Sequence, residues 1–383
     1  VKAVKKGGAR AAWIELEPAD GSVGSKIVRA REMIDASITG DLAYRAGVTF
    51  TYGRTANSKY SETYGGVRGA QNILGGVSPY VVAGDAGSGL LPQVDPAALE
   101  ALGTGDNRIQ APGYRLVVTS DPANMIPWWD PVNYDPAEFE MARRVIAASP
   151  TSYNSVAKLF TAAQIPSAPT KWDWNNRGAL STDVIDSRVG FTMDYATRDS
   201  YEAFIKRRTK NWLYFLRTDA VVPAELKAEL AGYGPCRDEF NDDNAEGFPG
   251  ECYWRDGFRM TKRNAKEVLR EQHVLKTEVA ANPICFATYP SDGHYRSYRD
   301  IAGVLQVEGG MSIDTNGYYG IHPEVMLPDA GQCDNLLVAN SYIFAQSSVA
   351  QQSSRMDVTA INTVCAAVTW AMLAIDANTS LRE

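Results

Sequence analysis

The sequence predicts an α/β protein whose sheet domain is interrupted by a large mixed α+β insertion, and three stretches carry that expectation. The first is Met33 to Gly47, M-I-D-A-S-I-T-G-D-L-A-Y-R-A-G. A β-prone approach breaks there at Asp35-Ala36-Ser37, and a short helix opens at Gly40-Asp41. The second is Asn335 to Ala339, a short apolar run of the kind found in a buried strand. The third is the middle of the chain, where helical periods separate the sheet-like segments at both ends. A strand that ends in small residues and turns straight into a helix leaves backbone N–H groups at the carboxyl edge of a sheet. Open α/β folds hold phosphates and dinucleotides at such an edge. The same residues also make an ordinary strand–loop–helix joint, with Asp41 as N-cap and Gly47 at C′.

In chain order, Val1 to Glu17 reads as a hairpin and Lys26 to Asp35 as one strand, joined by a turn from Pro18 to Gly24. Thr49 to Gly113 is rich in glycine and aromatics with little helical period, with at most a short helix at Pro96 to Leu102. Tyr114 to Thr119 alternates as a strand. Asp135-Pro136-Ala137-Glu138 is a helix start with Asp as N-cap and Pro at N1, and Phe139, Ala142 and Ile146 share a face. Lys171 to Ser181 reads as a polar, aromatic loop. Asp199 caps a helix to about Leu216 whose stripe of Tyr201, Phe204, Ile205, Trp212 and Phe215 reads as core. Further helices are expected from Pro223 to Gly232 and from Arg259 to His273. Strands follow at Ile284 to Tyr289 and Ile301 to Gln306, and Val358 to Ile375 closes the chain as an apolar helix interrupted by Thr359, Asn362, Thr363 and Thr369. Those polar residues read as a helix buried in protein and not as a membrane span.

At 383 residues the chain has room for about two or three domain-sized units. With 45% hydrophobic and 22% charged residues it is a globular composition, which excludes wholesale disorder. A net charge of −7 gives no electrostatic case for nucleic acid or an anionic membrane and suits small-molecule partners; a homo-oligomer is left open. The five cysteines show no CxxC spacing and the histidines number three, so no metal site is expected. Cys236 and Cys252 bracket an acidic loop without EF-hand spacing and could pair in an oxidising compartment, although the odd total points to free thiols. The first residue is Val, the expectation of a fragment or processed chain, and localisation is therefore unknown from the sequence.

Four collinear stretches carry a family likeness. They are Ile34 to Leu42 continuing through Gly53-Arg54 and Tyr60-Ser61-Glu62; Gly113 to Leu116 with Asp121 to Asn124 and Tyr134-Asp135-Pro136; Lys171-Trp172-Asp173 with Asn175 to Gly178 and Ser181-Thr182-Asp183; and Cys333 to Val338 with Ser353 to Asp357. On these the chain resembles the FAD-dependent oxidoreductases of the glutathione-reductase-type flavin fold, in particular a bacterial branch often labelled xanthan lyase-like. The resemblance implies a discontinuous, Rossmann-like FAD-binding domain at 1–50 and 315–383 and a substrate domain at 51–314. It also implies that the loop from Asp35 through Ser37 and Gly40 to Asp41 passes the FAD pyrophosphate. Asn335, Leu337, Arg355, Met356 and Asp357 would then lie near the isoalloxazine. A helix N-terminus there stabilises negative charge developing on the flavin. The G-x-G-x-x-G fingerprint is absent, and Val364, Ser348 and Gln352 depart from the family pattern of small residues and histidine.

Among candidate chemical groups, His294 in the segment Tyr289 to Tyr295 fits a base that takes a hydroxyl proton, its alternative being an ordinary loop histidine. His273 and His322 read as structural. Arg355 suits flavin or a substrate carboxylate; Arg68, Arg177 and Trp172 are weaker substrate candidates, Trp172 through stacking on a sugar ring. Cys285 and Cys365 read as buried thiols. The function expected is FAD-dependent hydride transfer from an organic, carbohydrate-derived substrate. The alternatives are a flavin-free relative serving as a binding or scaffold subunit and, third, a polysaccharide lyase.

Overall fold

Parallel pairing of Met33–Asp35 with Leu336–Val338 ties the beginning of the chain to its end, with Leu336 opposite Met33 and Val338 opposite Asp35. In this computed structural model, which describes residues 1–18, 22–71, 74–241, 246–315 and 317–383, the fold is a mixed α/β arrangement of several small sheets and helices. All three residues of the late strand are buried, and their side chains alternate between two clusters. Leu337 enters the one that holds the last helix, while Leu336 and Val338 enter the one around Ala43, Val48 and Ile343. Alternation at a period of two sends the late strand into two cores at once, which is why it reads as continuously apolar.

The expected single strand from Lys26 to Asp35 is two. Lys26–Val28 adds to the hairpin of Ala3–Gly7 and Arg10–Leu16, and the charged residues Arg29, Arg31 and Glu32 break the chain before Met33. The turn from Pro18 to Gly24 lies partly outside the described residues, as does part of the acidic loop between Cys236 and Cys252. All five cysteines are free. Burial pushes the Cys236 thiol up to about 11.

Several expectations in the middle segment are corrected. Lys171 to Asn176 is not a loop: Ala168–Asn176 is a strand paired on one side with Leu116–Thr119 and on the other with Phe160–Ile165. Trp174 is fully buried from that strand, stacked 5.0 Å from Phe160, so the tryptophans act as β-formers on a half-buried face. Arg259 to His273 is not one helix. Arg259–Met260 pairs with Phe50–Thr51, and only Glu271–Val274 is α-helical. Arg259 is buried against Asp256, which also binds Arg296 at 2.8 Å, and an ion pair of that depth overrides the helical period. The long helix Tyr195–Thr218 starts a turn earlier than expected, with Asp194 accepting from the Thr197 N–H as its cap. Asp135 caps a 3₁₀ turn, Pro136–Phe139, that runs into the helix Glu140–Ala148 as the sequence suggests. Pro96 to Leu102 forms no helix. Ala302-Gly303 split the expected strand at Ile301 to Gln306 into the hairpin Ser297–Ile301 and Val304–Glu308.

The last helix, Asp357–Asp376, is buried along one stripe only, Thr359, Thr363, Ala367, Ala371 and Ala374. Its other side exposes Val358, Ile361, Cys365, Val368, Met372 and Leu373, so neither the helix nor Cys365 is enclosed as expected. Among the described residues it is the one helix long and apolar enough to cross a membrane.

Candidate active site

His294 follows the short strand Ser291–Gly293, which pairs with Met311–Ile313. Gly293 lies close to Gln352, whose side-chain Oε1 would have to move for a Cβ to fit. The backbone N–H of His294 donates to Gln110 Oε1, and the imidazole Nδ1 lies 2.8 Å from Asp183 Oδ2. The other oxygen of Asp183 is 2.8 Å from Arg255, and both of those side chains are fully buried. Arg255 also donates to the Ala111 carbonyl and to Asn175 Oδ1. A carboxylate fixed by a guanidinium accepts, so Nδ1 carries the proton and Nε2 is the basic nitrogen; the tautomer is assigned from this partner.

Asp292 lies 3.5 Å from that Nε2 and 3.8 Å from Arg355. Burial works to raise the Asp292 carboxyl, but the hydrogen bond and charge that His294 offers once its Nε2 is protonated, together with Arg355, hold it below the usual range. These groups open into a cleft of about 340 Å³ lined also by Gln71, Asn176, Gly178 and Tyr295. Arg177 sits between two lining residues but turns away to the Ala157 carbonyl. Arg68 donates to the Thr63 carbonyl, and Trp172 packs edge-on against Tyr233. None of the three lines this cleft.

A second cleft, of about 310 Å³, lies beside the first. Ile38 from the early loop and Asp357 from the start of the last helix both line it, with Tyr253, Trp254, Tyr342 and Arg115. Buried Arg355 lines neither cleft but bonds to a residue of each. It donates to the Tyr253 hydroxyl at 3.0 Å and to the Asp292 carbonyl at 3.3 Å, and its Nε has no hydrogen-bond partner.

A family model described as FAD dependent oxidoreductase matches residues 1–383. The chain belongs to this family of FAD-dependent oxidoreductases. Searches of the curated proteins and of the solved structures give no match.

FAD is the cofactor that membership of this FAD-dependent oxidoreductase family assigns. The second cleft suits its isoalloxazine. Tyr253, Trp254 and Tyr342 supply aromatic walls, and the N-terminus of a 20-residue helix supplies unpaired N–H groups and positive dipole. Met356 is the N-cap of that helix, and Asp357 is exposed in its first turn.

The loop from Asp35 to Asp41 is closed by its own side chains. Asp35 accepts from the Ser37 N–H, the Ser37 hydroxyl and the Ala43 N–H; Ser37 in turn accepts from the Gly40 N–H. Burial raises the Asp35 carboxyl against those hydrogen bonds. Gly40, at φ +74°, is the helix N-cap in place of the expected Asp41, and a Cβ there would press on the Phe50 ring at 3.2 Å. Asp41 pairs with Arg198 at 2.9 Å and Arg45 at 3.0 Å. The N–H groups of Ser37, Gly40 and Ala43 are therefore committed and not free to meet a phosphate. Asn335 is likewise internal, bridging Ala11 and the Arg31 carbonyl, and Leu337 is core.

Sequence reasoning missed Asp183, Arg255, Asp292, Tyr253 and Tyr342. Asp183 stands in the Ser181-Thr182-Asp183 stretch already noted for its likeness. Arg255 and Asp256 lie just before the segment misread as helix, and a charged pair among aromatics and glycine was the available signal. His273 and His322, read from the sequence as structural, are both buried, with ring centroids 5.3 Å apart.

Proposed function

We propose that this oxidoreductase acts on a hydroxylated, carbohydrate-derived small molecule, with His294 as the base that takes the hydroxyl proton. The single observation that carries the reading is the His294–Asp183–Arg255 chain opening into a cleft lined by neutral amides, a tyrosine and a carboxylate. When bound, FAD supplies the hydride acceptor. The residues of this chain do the rest. Gln71 and Asn176 offer amides to substrate hydroxyls. Asp183 holds the imidazole in the tautomer that exposes Nε2. Once Nε2 has taken the proton, the imidazolium lies between Asp183 and Asp292, two carboxylates that favour its charge. Ile38, Tyr253, Trp254, Tyr342 and the first turn of the last helix would hold the isoalloxazine, and because hydride transfer needs ring and substrate in contact, Arg355 must swing out from between them when both are bound. The parallel pairing of the early and late strands supports a discontinuous cofactor domain at 1–50 and 315–383 with the substrate domain between, and the four collinear stretches support the xanthan lyase-like branch.

The test is His294→Gln in the flavin-loaded enzyme against a panel of sugar alcohols, followed by anaerobic bleaching of the flavin. A drop of about 10²–10⁴ in bleaching rate is expected, with flavin retained; bleaching at the wild-type rate would remove His294 from the chemistry. A second reading, a flavin-free binding or scaffold subunit, draws support from the self-closed Asp35–Asp41 loop. A full-length protein that purifies without flavin and takes none up would favour it.

A further inference from the structure

The segment 181–185 that carries Asp183 also walls a small cavity of about 30 Å³ on the long helix Tyr195–Thr218. That is room for about two water molecules and too little for phosphate or sulfate. Three buried donors on its lining residues have no hydrogen-bond partner: Arg208 Nη1, Trp212 Nε1 and the Thr182 hydroxyl. Among the acceptors nearby, Asp183 Oδ1 makes no hydrogen bond and is held by the charge of Arg255 at 2.8 Å; the others are engaged. Gln93 Oε1 takes Arg208 Nη2 at 2.7 Å, Ser181 Oγ takes the Asp183 N–H, and the Ala179 carbonyl takes the Tyr298 hydroxyl at 2.6 Å. The carboxylate nearest Arg208 is Glu138 at 3.7 Å, and it is already bidentate to Arg207.

The wall thus sets three unpaired donors and one arginine-paired carboxylate around the incompletely countered charge of Arg208. Burial lowers the Arg208 guanidinium to about 10, as expected of a cation short of partners. Water would fill the space and satisfy the N–H groups, but only an anion also answers the charge. We propose that this cavity binds one monoatomic, monovalent anion, a halide of chloride or bromide size, held by Arg208, Trp212 and Thr182. It stabilises the segment that positions Asp183 behind His294.

Thermal unfolding of the full chain in sodium chloride or bromide, against sodium gluconate at matched ionic strength, tests it. A saturable rise in Tm of about 2 °C is expected in either halide, and none in gluconate. Trp212→Phe and Thr182→Val should each shrink the rise, and crystals grown in bromide should show anomalous density beside Arg208. Equal Tm in halide and gluconate, or bromide crystals with no anomalous peak in the cavity, would overturn the proposal whether or not the variants fold.

Discussion

Replacing Asp183 by asparagine keeps the shape of the side chain and removes one buried charge. Arg255 then retains the Ala111 carbonyl and Asn175 Oδ1 as neutral acceptors, with its Nε still unpartnered. An uncompensated guanidinium at that depth costs about 3–5 kcal/mol. His294→Gln, by contrast, leaves the Asp183–Arg255 pair intact and loses one charge-assisted hydrogen bond, about 1.5–3 kcal/mol. The order of the two losses is the prediction, and urea unfolding measures it. Asp183→Asn should also change the imidazole itself. An amide N–H turned toward Nδ1 moves the imidazole proton to Nε2, the nitrogen proposed as the base. Long-range ¹H–¹⁵N correlation spectra distinguish the two tautomers, and with three histidines in the chain the His294 signals are assigned by their absence in His294→Gln. An Asp183→Asn protein no less stable than His294→Gln, or one whose His294 keeps its proton on Nδ1, would refute the reasoning.

Two further outcomes follow from the packing. Burial, then the charge of His322, lowers His273 from 6.5 to about 4. The unfolded chain therefore takes this proton first, so the stability is complete above pH 6.5 and is lost as pH falls toward 4. The loss is up to about 3 kcal/mol, and His273→Gln should flatten that limb of a denaturation-against-pH curve. Gly53→Ala, at φ +73° with its Cβ 2.2 Å from the Asp106 carbonyl oxygen, should cost at least about 2 kcal/mol in urea unfolding.

What could be read from the sequence was local. Asp135-Pro136 announced a helix start because cap chemistry is short-range, and Asn335 to Ala339 announced a buried strand because its apolar run has no other use. His294 drew notice because its segment, Tyr289 to Tyr295, resembles a Ser-His stretch of the family. Its partner did not: Asp183 lies 111 residues earlier, and its role depends on a 2.8 Å contact no periodicity encodes. The same limit explains the false helix from Arg259 to His273. Helical spacing was present, but Asp256 buried between Arg259 and Arg296 decided the backbone, and that pairing is tertiary. The Asp35 to Asp41 loop shows the opposite case. Its residue types suit a phosphate, yet they also suit each other, and their own hydrogen bonds consume the groups a ligand would need.

The account rests on the cleft between the early loop and the last helix being where the flavin ring sits. Ile38, 45% exposed on that cleft, can be enlarged without entering a core. Flavin absorbance of purified full-length protein, compared among wild type, Ile38→Trp and His294→Gln, tests this most directly. Yellow wild type, yellow His294→Gln and a folded but colourless Ile38→Trp are the predicted result; an Ile38→Trp protein that binds FAD as tightly as wild type would contradict it.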